Sequence, residues 1–309
     1  MIRELTATQF AALAGLAESE LPASCRAAIA KGDLRYELPQ ASERDAIILG
    51  VLQHIDSDKP TKVGEQRAGI WESCWSDNLQ RFVEAGCDPE QLVPDFIKPD
   101  QPVRLDGDYA IPRNPRFEVN FLSACRAYLY ERFLAGAKSV YEFGCGSGFN
   151  LLAFERLLPG RKLYGLDWSK SSNETVNLLR EKLRIDIRGR AFDFFNPDPG
   201  LALDAQSGVL TVCALEQVGP RHGEFVTWLL GKKPQVCVNM EPLLDLYDET
   251  RLPDWLAARF HRKRGYLEGF LPALKALQAQ GRIEILDVRR FRFGSLYHEG
   301  YSYVAWRPL

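Results

Sequence analysis

Val140-Tyr141-Glu142-Phe143-Gly144-Cys145-Gly146-Ser147-Gly148 is the stretch whose reading decides the fold. Its first four residues, with Ser139 before them, read as a short buried strand. Three glycines follow at alternate positions, and residues 149–158 then read as a helix. Glycines allow the tight turn and let a ligand come close to the backbone, while the first helix N–H groups face outward. In an open parallel sheet such a turn lies at the carboxyl ends of the strands, where ligands bind.

The rhythm continues downstream. Residues 162–166, 191–195, 208–213 and 235–240 read as strands, alternating with helices at 171–183 and 223–230. Residues 252–280 form a long helical region with a candidate break at Gly265, and 282–291 and 301–306 read as two strands facing each other across a loop. This alternation predicts an α/β fold, a mainly parallel sheet with helices on both faces and an antiparallel pair at one edge.

Upstream the texture changes. Residues 6–87 carry apolar positions at helical spacing, including Phe10, Leu13 and Leu16, then Ile47, Val51 and Ile55. Pro89, Pro94, Pro99, Pro102, Pro112 and Pro115 break regular structure over 88–115, and a helix over 118–134 follows. We expect an N-terminal helical cap with a proline-rich wrapping segment over 1–115 and the α/β core over 116–309.

Composition narrows the function. The chain has 309 residues, 39 basic and 41 acidic, so net charge −2 argues against a protein that tracks nucleic-acid phosphates. No apolar stretch approaches the ~20 residues of a membrane span, and the N-terminal stretch lacks the basic leader of a signal peptide. The seven cysteines are scattered with no C-x-x-C, which suggests free thiols in the cytoplasm and no zinc framework.

Two ligand classes compete for the loop. A dinucleotide fingerprint needs glycine where Phe149 stands, which disfavours a nicotinamide oxidoreductase. The pattern E-x-G-x-G-x-G from Glu142 to Gly148 instead resembles motif I of class I S-adenosylmethionine-dependent methyltransferases, over roughly residue 138 to the C-terminus. The resemblance implies a Rossmann-like seven-stranded sheet with one reversed strand near its edge. It implies S-adenosyl-L-methionine as cofactor and S-adenosyl-L-homocysteine as product. It assigns cofactor contacts to Glu142, Gly144, Gly146 and Gly148, to Asp167 for the ribose hydroxyls, to Trp168 over the adenine, and to Asp193 and Phe194 for the adenine amino group and ring. Cys145 reads as a small residue that fits against the cofactor.

Methyl transfer from a sulfonium is an in-line displacement, so the chain must align the nucleophile and take its proton. Glu216 and Glu241 end adjacent strands, and His222 opens the next helix. Two carboxylates favour a small polar metabolite with an amine or guanidine nitrogen. The alternatives are a hydroxyl acceptor, sugar-like or other, with His222 as base, or a non-catalytic cofactor-binding module with a protein partner. Tyr109, Arg113, Tyr247 and His298 are candidate substrate contacts. Trp71 and Trp75, one helical turn apart, read as core packing, and the run 261–264 reads as a solvated basic face. No ligand spacing supports a metal site, although His222, Glu241 and His261 are the donors one would need.

Overall fold

The computed structural model describes residues 1–309. Its N-terminal part begins with strand β1 (Ile2–Glu4), and a Thr6–Gln9 capping box then starts α1 (Ala7–Leu13). Next come α2 (Ala23–Lys31), β2 (Arg35–Glu37), α3 (Ala41–Asp56) and α4 (Ala68–Glu84). The proline-rich segment contributes β3 (Val103–Leu105) and β4 (Asp108–Pro112).

From α5 (Phe117–Leu129) onward strands and helices alternate. In order these are β5 (Ser139–Phe143), α6 (Phe149–Leu157), β6 (Lys162–Asp167), α7 (Lys170–Leu183), β7 (Ile187–Ala191), β8 (Ser207–Val212), α8 (His222–Lys232) and β9 (Val236–Met240). The chain ends with α9 (Leu252–Arg264), α10 (Phe270–Ala279), β10 (Ile283–Arg289), β11 (Phe293–Gly294) and β12 (Tyr303–Pro308). The break at Gly265 is real: this residue caps α9 at φ 65°.

The main sheet runs β10-β12-β9-β8-β5-β6-β7. The pairs among β5 to β9 are parallel, and β12 is antiparallel to both its neighbours. The chain winds outward from β5 through β6 to β7, then returns to β8 on the other side, so the switch point lies between β5 and β8. Both strands are covered on two faces, which explains their continuous apolar runs. Val140 packs into one core cluster, whereas Tyr141 and Phe143 pack into the other, as the two-residue period of a strand requires.

Two expectations need correction. The N-terminal part is not purely helical: β1, β2, β4 and β3 form a second, antiparallel sheet completed by β11 from the C-terminal segment. Asp106-Gly107 turns β3 into β4 with φ of 51° and 77°, the geometry that an Asp-Gly hairpin favours. The third core strand spans 187–191 rather than 191–195. Phe192, Phe194 and Phe195 leave the sheet and pack from the following loop, with Phe192 edge-on to Phe143 at 4.6 Å. Gly189 hid the strand from a propensity reading; a Cβ there would meet the Asn173 carbonyl oxygen at 2.5 Å, so glycine lets α7 lie against β7.

Candidate active site

The glycine loop makes the tight turn its sequence suggested. Gly144, Gly146 and Gly148 have φ of 71°, 51° and 73°, the left-handed region that side chains avoid. Gly144 and Cys145 donate their N–H groups to the Leu166 carbonyl, tying the loop to the end of β6. A Cβ on Gly144 would lie 2.4 Å from that of Ala214, and one on Gly146 would lie 2.5 Å from the Trp75 ring. Gly148 stands behind the loop, against Leu179 and Val176, and caps α6.

Asp167 ends β6 and is buried. Its Oδ2 accepts from the Gly146 N–H at 3.0 Å and its Oδ1 from the Ser169 N–H at 2.9 Å. Burial pushes its carboxyl up to about 6 despite these donors. One cavity at the switch point is lined by the loop from Gly144 to Ser147, by Asp167, Trp168 and Phe194, by Val212 at the end of β8, and by Cys213, Ala214 and Gln217 beyond it. Cys145 faces this cavity with a buried thiol whose ionisation burial opposes, which agrees with its reading as a small fitted residue.

Glu142 and Asp193 act at one remove. Glu142 is fully buried outside the lining and accepts from Asn150 Nδ2 at 2.7 Å; Asn150 itself lines the cavity. Burial pushes the Glu142 carboxyl up to about 8. Asp193 does not line the cavity. Its carboxylate accepts from the Phe195 N–H at 2.8 Å and from Asn196 Nδ2 at 2.9 Å, so it shapes the loop that presents Phe194.

The three acceptor-side candidates separate. Glu241 is fully buried and its carboxylate accepts from three successive N–H groups, those of Ala214, Leu215 and Glu216, at 3.3, 3.1 and 3.2 Å. It clamps the turn after β8 and does not line the cavity. His222 points elsewhere: its Nε2 meets the Glu268 carbonyl at 3.2 Å and its ring edge meets Phe270. Glu216 also lies outside the lining, but it is hydrogen-bonded to Gln217, which lines the cavity. Its Oε1 accepts from Gln217 Nε2 at 2.7 Å, while Glu216 Oε2 and Gln217 Oε1 are buried with no partner. Burial and the neighbouring Glu241 push the Glu216 carboxyl up to about 8.

None of the four substrate candidates lines the cavity. Tyr109 is buried against Val51, Ile55, Leu256 and Phe260 because β4 turns that face toward α3 and α9. Arg113 pairs with Glu37 across the second sheet. Tyr247 accepts from the Glu299 N–H at 3.0 Å, and His298 Nδ1 lies 3.0 Å from His261 Nε2. These belong to a buried polar network in which Arg290 bridges Asp254 and Glu299, each at 2.6 Å. His261 is therefore buried rather than on a solvated basic face, and His222, Glu241 and His261 each serve separate partners.

The cap was expected from the sequence, but not the side chains with which it covers the cavity. Trp71 and Trp75 of α4 line the cavity, stacked at 6.0 Å, and Pro94 and Phe96 of the proline-rich segment join them. Glu72, between the two tryptophans, accepts from the N–H groups of Lys170 and Ser171 at 2.8 and 3.3 Å and so docks α4 onto the start of α7. Ser147 Oγ donates to the Leu92 carbonyl at 2.6 Å, tying the glycine loop to the same cover. A Trp-x-x-x-Trp pair has the same spacing whether it faces a core or a cavity, so the sequence held no signal to separate them.

No protein-family model matches the chain, and no curated protein matches it in sequence. Solved structures do. The [4+2]-cyclase SpnF matches with a TM-score of 0.51 at 14% identity, over 80% of this chain and 96% of that one. The O-methyltransferase NcsB1 from neocarzinostatin biosynthesis, solved with S-adenosylmethionine and 2-hydroxy-5-methyl naphthoic acid, matches over 62% of this chain at 16% identity and a TM-score of 0.42. This chain spans 58% of the length of NcsB1. Human N-acetylserotonin methyltransferase, solved with S-adenosylmethionine, matches over 87% of this chain and 67% of that one, at 14% identity and a TM-score of 0.43. At such identities the likeness is one of fold. With the strand order and the reversed β12, it defines the class: this chain has the Rossmann-like class I methyltransferase fold.

Proposed function

We propose that this chain is an S-adenosylmethionine-dependent methyltransferase and that its acceptor is the amine nitrogen of a small polar metabolite. The fold alone does not choose a reaction, and SpnF, which shares it, is a [4+2]-cyclase. The observation that carries the reading is the cavity that the glycine loop lines together with Trp75 and the buried Asp167. These residues suit the cofactor. Asp167 retains lone pairs for the ribose hydroxyls, Trp168 and Phe194 offer aromatic surface to the adenine, and the backbone of 144–147 admits close approach. In this reading residues 1–115 supply the cover and 116–309 the catalytic core.

S-adenosylmethionine supplies a methyl group already activated on a sulfonium. The chain must hold the acceptor in line and receive its proton. Gln217 lines the cavity with Glu216 hydrogen-bonded behind it, and Gln217 Oε1 and Glu216 Oε2 are both buried with no partner. An amine has the donors they lack. A carboxyl raised to about 8 is also matched to taking a proton from an ammonium near neutral pH. A guanidinium, with a pKa above about 12, is beyond one such base. Glu241 gives no help, because three N–H groups already occupy it.

The test is label transfer. Metabolite extracts incubated with the protein and methyl-labelled S-adenosylmethionine should yield an N-methyl product. With that acceptor, Glu216→Gln should lower kcat and kcat/KM together by roughly 10²-fold or more, with S-adenosylhomocysteine affinity unchanged. An O-methyl product with a silent Glu216→Gln would overturn the amine assignment.

A further inference from the structure

On the opposite side of Phe149 from the cofactor cavity lies a second cleft of about 370 Å³, between α2, α5 and α6. The two share only Phe149 among their lining residues. A volume of this size suits a small molecule. Four cations line it, Lys31, Arg116, Arg126 and Arg156, against a single carboxylate, Glu90. Glu90 is taken by Arg116. Lys31 and Arg156 are exposed and have no ion-pair partner.

Arg126 is the unusual member. It is 4% exposed, yet no carboxylate pairs with it. Its Nη1 donates to Asn150 Oδ1 at 3.2 Å and its Nη2 to Ser123 Oγ at 3.1 Å, while Nε is buried without a partner. Neutral acceptors compensate a buried guanidinium poorly. Glu142, whose charge reaches Arg126, binds Asn150 Nδ2 instead. Ser24 Oγ, also in the lining, is buried and unpartnered. The remaining wall is apolar, with Val119, Leu152 and Leu157.

We propose that this cleft binds a small anion, a carboxylate or a phosphate ester with an apolar body, whose charged end meets Arg126, Lys31 and Arg156. The cleft adjoins the cofactor cavity through shared contacts. The guanidinium of Arg126 lies 4.3 Å from the centre of the Phe149 ring and holds Asn150, and both residues line that cavity.

Calorimetry on the full chain tests this, with pyrophosphate and citrate as probes in low-salt buffer. One-to-one saturable binding of at least one probe is expected, and it should persist when S-adenosylhomocysteine is present in excess. Preference for pyrophosphate would identify a phosphate ester, and preference for citrate a carboxylate. Lys31→Glu with Arg156→Glu changes two exposed side chains without partners, so the fold should survive, as its melting temperature would report. Probe affinity should fall about tenfold or more. Absence of binding at millimolar probe, displacement by S-adenosylhomocysteine, or unchanged affinity in the folded double variant would each overturn the proposal.

Discussion

Single carboxyls decide most of what this site can do, and their surroundings rank them. Glu216 and Glu142 are raised to about 8, Glu241 to about 7 and Asp167 to about 6, in each case chiefly by burial. In the unfolded chain these groups ionise near ordinary carboxyl values, so between those values and about pH 8 the folded state binds more protons. Stability therefore falls as pH rises through that window. Burial lowers the pKa of His54, His222, His261 and His298, which act in the opposite sense below about pH 6.5, so the melting temperature of the ligand-free protein should decline from about pH 7 to about pH 8.5, and Glu216→Gln, which cannot ionise, should flatten the decline. A flat or rising wild-type profile would mean these carboxyls are not desolvated as described. The sequence singled out Asp167, Trp168, Phe194, Gly144 and Gly146, which line the cavity, because strand ends and glycine patterns are local signals. It did not separate Glu216 from Glu241. Both follow neighbouring strands in sequence, and only the turn of residues 214–216 back over Glu241 shows that its carboxylate is the one taken by N–H groups.

Elements set the shape of the cavity, and α4 matters most because it carries Trp71 and Trp75 over the glycine loop. Its attachment runs through Glu72, which accepts from two N–H groups in the first turn of α7 and from Ser171 Oγ at 2.7 Å. A carboxylate there also meets the positive end of the α7 dipole. Glu72→Ala should cost about 1–2 kcal/mol in urea unfolding and weaken S-adenosylhomocysteine binding in calorimetry. A variant with wild-type affinity would show that α4 is no part of the site. The core strands other than β7 and the broken 252–280 helix were legible because apolar runs alternate with amphipathic helices. The second sheet was not. Its strands are three to five residues or shorter, and its order β1-β2-β4-β3-β11 joins both ends of the chain, which no local pattern encodes. The Asp106-Gly107 hairpin did carry a local signal, overshadowed by the surrounding prolines.

At the scale of the molecule, no helix is long and apolar enough to cross a membrane, and all seven cysteines are free. The sheet brings the ends of β5, β6 and β8 to one cavity, and the N-terminal part closes over it. That convergence makes the central claim a statement about one ligand. Calorimetric titration of S-adenosylhomocysteine into the wild-type chain and into Asp167→Ala tests it most directly. The account predicts one-to-one binding to the wild type and a loss of about 1.5–3 kcal/mol in the variant, since charge-assisted hydrogen bonds to the ribose would be gone. No binding to the folded wild type, or equal affinity in a folded Asp167→Ala, would contradict it.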